Sequence, residues 1–160
     1  MFKRCFLAAV AATIALVAGA TTAVADDALL TVSFEDRDPV AFTRADIEAL
    51  PVTRFSTSTL WTEGVVDFAG VSLADFLDAV GVEDGSLSAV AINDYAVDIP
   101  VSDAAPGGPI IAYQMNGAAM SARQKGPLWI VYPYDSDVAF QSETIYSRSI
   151  WQLARIDVEG

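Results

Sequence analysis

The sequence contains no histidine and one cysteine, Cys5, near its start. Without histidine the chain lacks the commonest metal ligand and the usual general base at neutral pH. A Ser-His-Asp triad, a Cys-His dyad and a histidine-rich zinc site are therefore excluded. Cations are scarce as well: 9 Lys and Arg stand against 21 Asp and Glu, a formal net charge of −12. Such a chain repels nucleic acid and anionic membrane surfaces. A solvated acidic surface explains the excess without any special partner.

Residues 1–25 read as a cleaved export leader. Lys3 and Arg4 form a basic start, Phe6 to Ala18 an apolar stretch, and Ala23-Val24-Ala25 a small-x-small cleavage site. The competing reading, a membrane anchor, is disfavoured because the apolar part is too short to span a bilayer. Cys5 precedes that stretch instead of ending it, a poor position for lipid attachment. The expectation is a periplasmic or secreted product, residues 26–160, folding as a single domain with no membrane span after cleavage. Losing Lys3 and Arg4 would leave 7 cations against 21 carboxylates, a charge of −14, and no cysteine. Structural disulfides and thiolate metal sites are then excluded.

What the chain does contain is β-forming sequence cut by turns. Ala28 to Phe34 alternates like a strand, and Glu35 to Pro39 is a turn cluster. Thr43 with Asp46 reads as a capped helix start that Pro51 stops. Val52 to Trp61 is rich in Thr, Ser and aromatics and reads as extended, with Val65 to Phe68 as its hairpin partner across Gly64. Gly70 to Gly81 carries the clearest helix signal: Ser72 and Asp75 resemble a capping box, Leu73, Phe76, Leu77 and Val80 share a face, and Gly81 supplies a left-handed stop. Ser88 to Asn93, Ala96 to Ile99 and Ile110 to Met115 read as strands, and Asn116-Gly117 as a tight hairpin turn. Leu128 to Tyr132, bounded by Pro127 and Pro133, reads as the strand at the sheet centre. Asp135 to Ser142 reads as a surface loop and Ile150 to Val158 as the closing strand. The fold class is α+β, mostly β, with two short helices.

Several residues are candidates for a site. Arg123 and Lys125 are the closest pair of cations in the mature chain and suit an anionic group such as a carboxylate or phosphate; the bland alternative leaves both in solvent. Asn93, Asp94 and Tyr95 place an amide, a carboxylate and a phenol at one strand end, or else form a self-bonded turn. Asp135 and Asp137 lack the rest of a calcium loop. Trp61, Tyr95, Trp129, Tyr132, Tyr134, Tyr146 and Trp151 offer pocket walls or simply core. Asp75 and Asp78 share a helix face and read as solvated.

In order, Phe68-Ala-Gly70-Val71-x-Leu73, Asn93-Asp94-Tyr95, Asn116-Gly117, Gly126-Pro127-Leu128 with Val131 and Pro133, and Trp151 form a pattern. It resembles the molybdopterin-binding domain of the sulfite oxidase superfamily, especially its short exported single-domain members. The resemblance covers nearly all of residues 50–158 and implies a mixed, mostly β domain of that type. It also implies a molybdenum-ligating Cys where Thr57, Ser58 or Thr59 stands, and Ser58 is taken as the lost metal-ligand position. A family His before the Gly-x-Pro-Leu strand looks replaced by Lys125, and an Arg after Pro-Leu by Trp129. No soft thiolate remains for the metal, although a serine alkoxide at Ser58 is an alternative ligand. Lys3-Arg4-Cys5-Phe6-Leu7 only partly resembles the twin-arginine signal that exports folded, cofactor-loaded enzymes. A plain secretory leader would deliver an unfolded, empty chain.

The resulting expectation is a module without metal or catalytic residues, with molybdopterin suggested by resemblance alone. Such a module would bind a small anionic ligand or an envelope protein partner. Arg123 and Lys125 would face the anion, Tyr95 and Trp61 form a wall, and Asn93 or Asp94 orient the ligand. The alternatives are a periplasmic molybdopterin-dependent oxidoreductase and a structural envelope protein.

Overall fold

A computed structural model describes residues 27–160, so the leader assigned to residues 1–25 lies outside the described residues. The described residues form two five-stranded sheets around one connected apolar core. The first sheet runs β2 (Val40–Phe42), β1 (Leu30–Phe34), β10 (Leu153–Glu159), β5 (Ser86–Ala91), β6 (Ala96–Pro100). The second runs β3 (Val52–Ser58), β4 (Val65–Ser72), β7 (Ile110–Met115), β8 (Ala118–Ala119), with β9 (Trp129–Val131) also on β7. β1 and β10 pair in parallel, joining the beginning and end of the described chain, and every other named strand pair is antiparallel.

Side-chain patterns account for these elements. In β1, Leu30 and Val32 are fully buried while Thr31 and Ser33 are not, the period-2 alternation of a strand with one face on the core. β4 is different, since Phe68 to Val71 are consecutively buried. Both faces of that segment are covered, and a side chain at Gly70 would meet the backbone of β7: its Cβ would sit 2.1 Å from the Ile111 carbonyl oxygen. Asn116 and Gly117 both take positive φ, 50° and 78°, and close the β7–β8 hairpin as the dipeptide predicts.

Helix α1 (Arg44–Glu48) starts on the expected capping box, with Thr43 and Asp46 bonded reciprocally. Helix α2 (Leu73–Val80) buries Leu73, Phe76, Leu77 and Val80, is capped by Ser72, and stops at Gly81 in the left-handed region. The cap falls at Ser72 as read, while the preceding Gly70 and Val71, with Ser72, continue β4 against β7. Two helices were expected, and the described residues form three α-helices. The third, α3 (Glu143–Arg148), is short, so its apolar stripe is only Ile145, but its ends are marked: Ser142 accepts from the Ile145 N–H, Glu143 opens it and Arg148 closes it.

The segment Leu128 to Tyr132 is not a sheet centre. β9 has three residues and, among the named strands, pairs only with β7. It is nevertheless fully buried, because its other side faces the first sheet. Trp129 forms an isolated bridge with Trp151, Ile130 N–H donates to the Ile150 carbonyl at 2.9 Å, and Leu153 N–H donates to the Leu128 carbonyl at 2.9 Å. The segment thus runs between the two sheets, hydrogen-bonded along both edges.

Candidate functional site

Five aromatic rings gather at this junction. Trp61, on the loop after β3, makes edge-on contacts with Trp129, Tyr134, Tyr146 and Trp151 at ring separations of 5.9, 6.2, 6.0 and 5.6 Å. These are favourable quadrupole arrangements, each adding about 0.5–1.5 kcal/mol beyond burial. Trp129 and Tyr134 are buried, whereas Trp61 and Tyr146 are half-buried and Trp151 reaches the surface. The outer rings enclose a cavity of about 270 Å³, walled by Trp61, Tyr95, Tyr146 and Trp151, with Asn93 and Gln152 among its polar groups. β5, the turn after it, α3 and the segment between α3 and β10 each supply part of the lining.

The candidate residues divide here. Trp61, Tyr95 and Asn93 line the cavity together. Asn93 Oδ1 accepts from the Tyr95 N–H at 3.3 Å, so it is also the self-bonded turn residue of the bland reading. Asp94 is exposed at φ +65° and lies outside the lining. Lys125 places its ammonium over the Trp151 ring, 4.3 Å from the centroid, and 5.9 Å from that of Trp129. Arg123 sits exposed on a 3-10 turn over Ala122–Gln124 and is not in the lining. One of the two candidate cations therefore touches the aromatic cluster.

Ser58 ends β3 in a second, smaller crevice of about 170 Å³, which shares Tyr146 with the first cavity. Its N–H and Oγ both donate to the Asp135 carboxylate, at 2.6 and 2.7 Å. These two bonds, backbone first, hold the Asp135 carboxyl below the usual carboxylate range. The adjacent Thr57 is buried; its Oγ1 accepts from the Asp135 N–H at 3.1 Å and donates to the Ser58 carbonyl at 3.2 Å. Asp135 thus anchors a strand end instead of joining a calcium loop, and the described residues contain no group of three or more candidate metal-ligating side chains.

Sequence reasoning missed the polar cluster beneath the rings. Asp103 Oδ2 accepts from Tyr132 Oη and from Arg148 Nη1, both at 2.8 Å. Burial and then the Asp103 charge push the Tyr132 phenol far above its ordinary range. Burial pushes Tyr134 up to about 12, partly offset by its hydrogen bond to Ser149 Oγ at 2.6 Å. Asp103, Tyr132 and Arg148 are well separated in sequence, so no local motif announces them. Tyr146 and Trp151 were visible only as aromatics with two possible fates.

Residues 19–136 match the model of the oxidoreductase molybdopterin binding domain, and the chain belongs to that family, within the sulfite oxidase superfamily. Among solved structures, it is similar to the sulfane dehydrogenase SoxCD from Paracoccus pantotrophus, at TM-score 0.63 and 19% identity over 83% of this chain. At that identity the likeness shows the mostly β fold of the sulfite oxidase type. The match spans 38% of the SoxCD chain, so this chain is equivalent to well under half of it. No curated protein sequence matches this chain.

Proposed function

We propose that this domain is an exported binding module that keeps the molybdopterin-domain fold without its metal chemistry. The single observation that carries this reading is the commitment of Ser58. Its hydroxyl and N–H are both spent on one carboxylate of Asp135. An oxygen donor already bonded to a carboxylate is a poor substitute for the soft thiolate that molybdenum prefers. Cys5, the one cysteine, falls in the leader-like segment, and no histidine exists to replace it. The residues present therefore do not fit the metal, and no redox step is derived through it.

Binding in place of redox chemistry is supported by the aromatic cavity that shares Tyr146 with the Ser58 crevice. Ring-lined clefts with a few polar groups are the usual form of small-ligand sites. The basic, apolar and small-residue succession of the first 25 residues supports export to the periplasm or beyond. Lys125 is the residue placed to attract an anionic group, while Arg123 and Asp94 contribute at most to the surroundings.

The family match favours one other reading, a periplasmic molybdopterin-dependent oxidoreductase. Acid extraction of the purified protein followed by pterin fluorescence separates the two. Absence of a stoichiometric pterin is the expected result. Its presence would replace the binding-module reading with the enzyme.

A further inference from the structure

We infer that the cavity walled by Trp61, Tyr95, Tyr146 and Trp151 takes a small aromatic carboxylate, its ring among these side chains and its charge toward Lys125. The inference rests on the binding-module reading above and adds the class of ligand. Its basis is the distribution of shape, charge and backbone strain around one opening.

Size and wall chemistry come first. A cavity of about 270 Å³ suits one ring or two fused rings, at the small end of ligand sites. Its walls present ring edges and faces, which pair well with another ring. Asn93 spends its amide oxygen on the Tyr95 N–H, leaving its NH₂ as a donor at the polar end. Donors without carboxylates suit a ligand that accepts hydrogen bonds.

Charge then selects among ring-bearing ligands. No charged side chain lines the cavity, although the chain carries 21 carboxylates. The cation in contact with a wall is Lys125, stacked on Trp151. It opposes an organic cation that would otherwise suit an aromatic cage. An anion gains from it through a charge-assisted contact on a flexible stem.

Backbone strain marks the same place. Four non-glycine residues among those described take positive φ: Gln152 at 53° lines this cavity, Asp94 at 65° stands between the lining residues Asn93 and Tyr95, and Lys125 at 72° is bonded to Gln152. Left-handed conformations cost Lys and Gln about 1–2 kcal/mol each. Here the two are tied together, since Gln152 N–H donates to the Lys125 carbonyl at 3.0 Å and Gln152 Nε2 to the Ala122 carbonyl at 3.0 Å. The left-handed Lys125 closes the 3-10 turn over Ala122–Gln124, and the same turn holds its cation over Trp151 beside the ring-lined opening. Strain held in this way is a recurrent property of ligand clamps.

The test is calorimetric titration of residues 26–160 with benzoate, 2-naphthoate, their carboxamides and benzyltrimethylammonium. The expected result is tighter binding of the carboxylates than of the matching carboxamides, and no binding of the cation. Lys125→Met should weaken carboxylate binding about tenfold, the loss of roughly one charge-assisted contact, while Lys125→Arg retains most of it. Circular dichroism melts of both variants establish that they fold. Equal binding of acids and amides, or no effect of Lys125→Met, would overturn the ligand class and leave the binding-module reading standing. If no ring compound of any charge binds, the ligand class and the cavity's role both fall. Recovery of a stoichiometric pterin from the same preparation would instead defeat the parent reading.

Discussion

Ser58 and Asp135 are 77 residues apart in sequence, yet one carboxylate receives both the N–H and the hydroxyl of Ser58. The contact pins the end of β3 to the loop that follows Tyr134. It occupies the oxygen that would have to serve a metal if this chain used the family's chemistry.

Because its hydrogen bonds hold the folded-state pKa of Asp135 below the usual carboxylate range, the sign of its pH dependence is fixed. The stabilisation is present above the unfolded pKa and is lost as pH falls through the depressed folded value. Asp46, lowered by the Thr43 N–H and hydroxyl, acts in the same direction. Asp135→Asn should lower the melting temperature at pH 7 and narrow its difference from the parent protein below about pH 4. Thermal melts across pH 3–7 measure this. A constant difference over that range would count against the contact.

At alkaline pH the buried phenols act in the opposite sense. The Tyr134 pKa is raised from 10.0 to about 12, so its neutral form supports folding below 10 and that contribution disappears as pH rises toward 12. Spectrophotometric titration of folded protein should find Tyr134 un-ionised at pH 10.5. Tyr134→Phe should remove one high-pKa phenol from that titration.

Gly70 has no room for a side chain, because the β7 backbone occupies the space its Cβ would need. Gly70→Ala should force β4 and β7 apart and cost about 3 kcal/mol, the upper range for overpacking. Urea unfolding gives the value, and a cost under about 1 kcal/mol would mean that the strands adjust freely.

Trp61 is the shared partner in four edge-on ring contacts. Trp61→Ala should cost about 3 kcal/mol, the low end for a large aromatic because the side chain is only half-buried. It should also reduce the near-ultraviolet dichroism of the remaining tryptophans and abolish ring-ligand binding. A variant that keeps its near-ultraviolet signal would show that these rings are not held as described.

Much of the fold was legible because the signals are local. Thr43 with Asp46, Ser72 with Gly81, and Asn116-Gly117 each specify their own turn or cap within a few residues, and each forms as read. Leu128 to Val131 was misplaced for a nonlocal reason: apolar residues on successive positions report burial on both faces, not which strands provide it. The backbone bonds of Leu128 and Ile130 to Leu153 and Ile150 supply its second edge. Helix α3 was missed because a six-residue helix shows little periodicity, although Ser142, Glu143 and Arg148 marked its ends. For the site, aromatic residues could be named but not assigned to wall or core. Adjacent cations behave differently because Lys125 turns left-handed toward Trp151 while Arg123 remains on the exposed turn.

The central claim is that this domain has exchanged metal binding for ligand binding. Elemental mass spectrometry of molybdenum per polypeptide, on protein recovered from its native cell envelope under gentle conditions, tests that claim most directly. A ratio near zero is expected. One molybdenum per chain would contradict it and restore Ser58 as a candidate ligand.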